Sequence, residues 1–96
     1  MKPLIFLPAA SADIDSIYDY TEENWGDEQA EAYAFGIRDI CRTVASGARR
    51  GRQISGLKAG YLALAYRSHF VIYRNEDVQI VVVRILHQRM NLSRHL

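Results

Sequence analysis

Apolar side chains recur every three or four residues in two stretches of the first half of the chain, which predicts two amphipathic helices. Gly26 suits the end of the first helix, Asp27 is expected to cap the second, and Gly47 is expected to end it. Because only a few residues join the two stretches, they predict an antiparallel helical hairpin. The first stripe comprises Ala10, Ile14, Ile17, Tyr18 and Thr21, and the second comprises Ala30, Tyr33, Ala34, Ile37, Cys41, Val44 and Ala45.

The second half of the chain has a pattern typical of strands, with many aromatic and β-branched side chains. Together with a short opening run bounded by Pro3 and Pro8, four strands are expected at residues 3–8, 61–66, 70–73 and 78–86. The run of residues 80–83 does not alternate with polar residues, which indicates a central strand buried on both faces. Residues 47–60 contain four glycines and predict a loop. The order β-α-α-β-β-β predicts an α+β fold with the helical hairpin packed on one face of a mainly antiparallel sheet.

Length and composition limit the class of protein. A chain of 96 residues is long enough for one core without a metal or disulfides, so residues 1–96 are interpreted as a single domain. Cys41 is the only cysteine, which excludes an internal disulfide and a Cys-rich zinc site. No metal or other cofactor is expected. The opening apolar run is too short for a signal peptide, and no stretch is long enough to span a bilayer, so we expect a cytoplasmic protein without membrane contact.

Charge is distributed unevenly along the chain. Residues 1–48 carry nine acidic and three basic side chains, a net charge of −6, whereas residues 49–96 carry nine basic and two acidic side chains, a net charge of +7. Such asymmetry indicates an acidic partner or a nucleic acid on one face. The alternative is that acidic helices precede a basic sheet and that each set of charges is simply solvated.

The usual catalytic motifs are absent, since the chain has no Gly-rich phosphate loop, no H-E-x-x-H and no nucleophile elbow. His87 ends the long last strand, where an imidazole could act as a general acid. Its alternative role is a capping hydrogen bond to the backbone. His69 is expected to be a packing or turn residue, Cys41 a small buried hydrophobe, and Trp25 an anchor for the turn between the helices.

The arginines on and near the strands are candidates for binding an anion. If Arg67, Arg74 and Arg84 share the sheet face that the helices leave free, they form a basic surface suited to carboxylates or phosphates. The alternative is a set of solvated charges that keep sheet edges from aggregating.

Three blocks of sequence resemble the ParE toxins within the wider RelE/ParE superfamily. The first is residues 9–21, where alanines precede an Asp-Ile pair, followed by Ile, Tyr and Thr, and it closes with Trp25-Gly26. The second is residues 59–61 followed by 68–74, and the third is residues 84–91 with 94–96 at the end. The similarity runs in order from Pro3 to Leu96. Two departures are Pro8 at the start of the first helix and Arg67 in a tight turn, from which its side chain is expected to project.

The resemblance implies the same fold of one opening strand, a helical hairpin and a three-stranded meander. It also implies a toxin of a type II toxin–antitoxin system that inhibits DNA gyrase and is neutralised by a ParD-like antitoxin, with operator DNA bound only through that antitoxin. Such a toxin is a binding poison rather than an enzyme, and it has no catalytic residues. The residues expected to contact the antitoxin or the target are Arg49, Arg50, Arg52, Arg67, Arg74, Arg84 and Arg89.

Two alternatives remain at this point. Toxins similar to RelE are ribosome-dependent mRNA endonucleases, and in that case His87, Arg67 and Arg84 would be catalytic. The absence of any tyrosine after Tyr73 favours the gyrase branch over this one. The other alternative is a toxin-like fold that only binds a partner, in which case expression without an antitoxin would leave growth unchanged.

Overall fold

The computed structural model describes all 96 residues. The predicted order of two helices and four strands is confirmed, and a short third helix follows. The elements are β1 (Leu4–Phe6), α1 (Pro8–Trp25), α2 (Asp27–Ala45), β2 (Tyr61–Tyr66), β3 (His69–Asn75), β4 (Ile80–His87) and α3 (Leu92–His95).

The four strands form one sheet in the order β1-β4-β3-β2. The meander of β2, β3 and β4 is antiparallel, and β1 lies parallel to β4, with Leu4 opposite Ile80. The sheet is therefore mainly antiparallel, as the sequence predicted. β4 lies between two neighbours, and Ile80, Val81 and Val82 are buried, which confirms that the uninterrupted apolar run marks a central strand.

The helical hairpin covers one face of the sheet, and the two predicted apolar stripes face it. Ile14, Ile37 and Cys41 are buried there against Tyr73 and Ile85. Cys41 is the small buried hydrophobe that the sequence predicted, and burial raises the pKa of its thiol to about 12, which makes it unreactive.

The junction between the helices differs from the prediction in one detail. Gly26, not Asp27, occupies the cap position of α2, with φ of 89°, and no side chain caps the helix. The left-handed backbone is open to glycine without strain, so one residue both ends α1 and starts α2. Asp27 is the first residue of α2, where its charge favours the positive end of the helix dipole.

The second face of the sheet is also covered, which the sequence analysis did not predict. Ala63, Ile72 and Leu86 form a smaller apolar cluster on this face. The loop between α2 and β2 and the C-terminal helix lie over it, with side chains Ile54, Leu57, Leu92 and Leu96. Little of this face is left bare to carry the basic surface that Arg67, Arg74 and Arg84 were expected to form.

A buried hydrogen bond holds the long loop onto the sheet. The Gly51 N–H donates to the Tyr73 hydroxyl at 2.7 Å, and Arg52 exchanges two backbone hydrogen bonds with Ala63 of β2.

We expect Tyr73→Phe to lower the free energy of unfolding by about 2 kcal/mol, because the buried Gly51 N–H loses its acceptor. Urea denaturation measures this, and Tyr61→Phe is the control because the Tyr61 hydroxyl has no partner in the chain. Equal losses for the two variants would contradict this role of Tyr73.

Candidate functional site

A cleft of about 690 Å³ opens between the helical hairpin and one end of the sheet. This end of the sheet holds the β2–β3 turn, the start of β3 and the end of β4, and it faces the second half of α1 and the first turns of α2. The lining residues are Ser16, Ile17, Tyr20, Thr21, Trp25, Gln29, Tyr33, Ser68, His69, His87 and Met90.

A hydrogen-bonded chain of polar aromatic residues forms the floor of the cleft. The Tyr33 hydroxyl lies 2.7 Å from Nδ1 of His69 and accepts the Ser68 backbone N–H at 3.3 Å. Since the Tyr33 oxygen accepts from Ser68, its own proton is free to donate to His69 Nδ1. His69 and His87 are paired across β3 and β4, and their rings meet edge to face with centroids 5.2 Å apart.

The surroundings of His69 and Tyr33 favour the neutral forms of both side chains. Burial lowers the pKa of His69, and the neighbouring His87 lowers it further, while Asp13 partly opposes both. Burial also raises the pKa of Tyr33, although the hydrogen bond from Ser68 works in the other direction. Both pKa shifts favour a neutral His69 imidazole that accepts a hydrogen bond from a neutral Tyr33 phenol.

The lowered pKa of His69 predicts a loss of stability in acid. The unfolded chain binds a proton at His69 near pH 6.5, and the folded chain binds it only at lower pH, so stability is full above pH 6.5 and falls as the pH drops below it. Protonation also removes the Nδ1 lone pair that Tyr33 uses. We expect the free energy of unfolding, measured with urea at pH 7 and pH 5, to fall less in His69→Gln than in the parent chain. The exposed His95→Gln is the control, and identical pH dependence in all three proteins would contradict the assignment.

His87 makes the capping hydrogen bond that was one of its two expected roles. Its Nδ1 accepts the Arg89 backbone N–H at 3.1 Å, just beyond the end of β4. The side chain of Gln88 then turns back to donate to the carbonyls of Arg67 and His69. These contacts fix the β2–β3 turn at the mouth of the cleft.

Arg67 projects from this turn, as its position in the sequence predicted. It has φ of +50°, its side chain is exposed, and its guanidinium carbon lies 5.7 Å from the ring centroid of Tyr66 and 5.9 Å from that of Tyr33. Both distances are within the range of cation–π attraction. Arg67 therefore places a positive charge beside an aromatic wall.

The outer rim of the cleft is apolar and exposed. Tyr20 and Trp25 are 62% and 63% exposed and touch each other edge to face with centroids 6.0 Å apart, and Met90 stands exposed in the same lining. Trp25 was expected to anchor the turn between the helices, but it is the last residue of α1, largely exposed, and its ring contacts Tyr20. Tyr20 and Met90 were not predicted as site residues, and the one sequence signal for Tyr20 is that it is an aromatic residue off the buried stripe of α1.

The arginines singled out from the sequence do not form one surface. Arg67 and Arg89 lie at the cleft end of the sheet, whereas Arg74 lies near the opposite end of β3 and is 3.4 Å from Glu76. Arg84 donates to Asp13 of α1 from Nε at 2.7 Å and from Nη2 at 2.9 Å, and this hydrogen bond raises its pKa. Loop residues Arg49, Arg50 and Arg52 lie away from the cleft.

The site has no grouping of side chains suited to a metal ion, since no three His, Cys, Asp or Glu residues cluster anywhere in the chain. No helix is both long and apolar enough to cross a bilayer. The chemistry available in the cleft is that of aromatic and apolar contact, with two imidazoles, a phenol and a cation.

Comparison with known proteins defines the class. The fold matches a solved chain described as a chromosomal ParDE TA system from P. aeruginosa, with a TM-score of 0.79 and 23% identity over 91% of this chain and 96% of that one. The family model described as "ParE toxin of type II toxin-antitoxin system, parDE" matches residues 4–92. The chain is 40% identical to Toxin ParE1 of Caulobacter vibrioides over 100% of its own length and 99% of that protein. It is also 39% identical to Toxin ParE1 of Mycobacterium tuberculosis, over 93% and 92% of the two chains.

The chain therefore belongs to the ParE toxin family of type II toxin–antitoxin systems. This confirms the family and the toxin class that the three blocks of sequence indicated.

Proposed function

We propose that this toxin is held inactive by a ParD-like antitoxin and, when free, inhibits DNA gyrase by binding to it rather than by cutting a bond. The observation that carries the proposal is the cleft, because an exposed aromatic rim over a half-buried floor is typical of a surface that binds a protein segment.

The antitoxin is the occupant that fits the cleft. The solved P. aeruginosa relative is described as a ParDE system, that is, a toxin together with its antitoxin. An antitoxin tail that folds on binding can lay apolar side chains over Tyr20, Trp25 and Met90. Acidic side chains of such a tail would meet Arg67 and Arg89 at the sheet side of the cleft, which speeds association. Sequence-specific recognition of operator DNA belongs to the antitoxin in this scheme.

The hydrogen bonding of the floor supports binding over catalysis. His69 Nδ1 is used by Tyr33, His87 Nδ1 is used by the Arg89 backbone, and the Arg84 guanidinium is used by Asp13. A general acid or base needs a nitrogen within reach of the reacting atom, and a phosphate-stabilising arginine needs free donors. Of the three candidate catalytic residues, His87 and Arg84 thus have structural partners, whereas Arg67 makes only aromatic contacts.

A ribosome-dependent mRNA endonuclease is the second candidate. One observation favours it: two imidazoles, a phenol and the Arg67 cation meet in one cleft, and together these are groups able to move protons and stabilise a phosphate.

Expression in a bacterial host tests the proposal. The toxin produced alone in the host cytoplasm should arrest growth of the cells. It should also leave a reporter plasmid less negatively supercoiled, since gyrase supplies that supercoiling. Co-expression of a ParD-like antitoxin from the same operon should restore both growth and supercoiling. Normal growth without an antitoxin would contradict the toxin mechanism, and growth arrest with normal plasmid topology would contradict gyrase as the target.

A further inference from the structure

A second cavity lies at the end of the sheet opposite the cleft. Its volume is about 580 Å³, and we call it the basic notch. The lining residues are Arg50, Gly51, Arg52, Gln53, Gly60, Leu62 and Asn75. The antitoxin and gyrase proposal does not use this surface.

The backbone that carries the two arginines of the notch is held in place. The residue between them, Gly51, is buried and donates its N–H to the Tyr73 hydroxyl. A Cβ atom at Gly51 would lie 2.7 Å from the Ala63 carbonyl oxygen and 3.0 Å from the Tyr73 ring. Only glycine allows this close approach, and the paired backbone of Arg52 and Ala63 completes the attachment. Arg50 and Arg52 are therefore presented from a fixed segment and not from a free loop.

The notch offers hydrogen-bond donors and lacks acids. Neither Arg50 nor Arg52 forms an ion pair, and no carboxylate lines the cavity. The Asn75 side-chain oxygen accepts from the Lys2 ammonium at 2.7 Å. Because an ammonium only donates, this contact fixes the orientation of the amide and leaves the Asn75 NH₂ group free to donate.

The carboxylate of Glu76, the residue that follows Asn75, already has partners. Glu76 is ion-paired with Arg74 at 3.4 Å and accepts from the Gln79 side chain at 2.7 Å. The Lys2 ammonium donates to the side chain of Asn75, which lines the notch, and to the Glu76 backbone carbonyl. It adds a third positive charge to those of Arg50 and Arg52. The local field therefore favours an anion.

We propose that the basic notch binds the phosphodiester backbone of DNA, so that the toxin itself contacts nucleic acid. Guanidinium groups and amide donors match phosphate oxygens, and contacts of this kind fix a protein on a duplex without reading its sequence. An acidic protein segment fits less well, because a protein interface needs an apolar centre and Leu62 is the one apolar side chain in the lining apart from the glycines. The proposal goes beyond the antitoxin and gyrase scheme and does not require it.

Fluorescence anisotropy with the purified full chain and labelled 20-base-pair duplexes of unrelated sequence tests the proposal. The parent chain should bind all duplexes alike, with the logarithm of affinity falling linearly with the logarithm of salt concentration. The double variant Arg50→Ala/Arg52→Ala should bind more weakly, and the slope should fall by about 0.9 for each phosphate that the variant no longer neutralises. Arg50→Lys/Arg52→Lys should keep most of the slope because it keeps both charges.

Arg38→Ala is the matched control, since it removes an exposed arginine from α2 that forms no ion pair. Circular dichroism confirms that each variant is folded. An unchanged slope in the Arg50→Ala/Arg52→Ala protein, or an equal change in Arg38→Ala, would overturn the proposal. Displacement of DNA by a polyglutamate peptide at the same charge concentration would also overturn it, in favour of an acidic protein partner. None of these outcomes depends on gyrase inhibition, so the two proposals fail separately.

Discussion

Replacing Asp13 by alanine is expected to lower the free energy of unfolding by about 3 kcal/mol. β1 ends at Phe6, so the edge of β4 beyond Val82 has no strand beside it. The Asp13 carboxylate takes the place of a strand there, because it accepts the Ile85 backbone N–H at 2.9 Å and two donors of the Arg84 guanidinium. The two side chains are only 15% and 25% exposed, so water replaces these bonds poorly.

Urea denaturation of Asp13→Ala against Asp15→Ala measures this effect. Asp15 is an exposed acid two residues further along α1, and its loss should change stability by less than about 0.5 kcal/mol. The double variant Asp13→Ala/Arg84→Ala should lose less than the sum of the two single variants, because each single change already breaks the same pair and leaves the other side chain without its partner. Equal losses for Asp13→Ala and Asp15→Ala would show that the pair does not hold α1 to the sheet.

Trp25→Ala is expected to weaken binding of a ParD-like antitoxin by about 30-fold, which corresponds to about 2 kcal/mol. Trp25 is 63% exposed beside Tyr20 at the rim of the cleft, so it offers a large apolar surface that only a partner can bury. Truncating it removes that surface from the interface. Because the side chain is already in water, the stability of the free toxin should change by less than about 0.5 kcal/mol.

Phe35→Ala is the matched control for Trp25→Ala. Phe35 is also 63% exposed, but it lies on α2 outside the cleft lining, where it contacts Arg42. Isothermal titration calorimetry with the antitoxin should detect a large loss for Trp25→Ala and little change for Phe35→Ala. Equal losses, or no loss at Trp25, would place the antitoxin elsewhere on the toxin.

The secondary structure could be predicted from the sequence because its signals are local. The 3.6-residue stripes located α1 and α2, and the uninterrupted apolar run located β4 at the centre of the sheet. Helix α3 was missed because four residues give no period to detect. The cover over the second sheet face was missed for a similar reason, since Ile54 and Leu57 are isolated apolar residues in a glycine-rich loop.

The site was harder to predict because its contacts join distant parts of the chain. From the sequence, Arg84 was a candidate for binding an anion. In the structure it is paired with Asp13, which lies 71 residues away along the chain. Tyr33 was assigned to the apolar stripe of α2, which is correct for its ring, but its hydroxyl reaches His69 across 36 residues. Arg67 was predicted well because its exposure depends only on the two-residue turn that holds it.

The most direct test of the central claim is a supercoiling and DNA-cleavage assay with purified gyrase and the purified, antitoxin-free toxin, run beside a ribosome-dependent mRNA cleavage assay. We expect lost supercoiling or trapped cleavage complexes, reversal on addition of the antitoxin, and intact mRNA. Cut mRNA together with fully active gyrase would contradict the account and would make His87, Arg67 and Arg84 candidates for an active site.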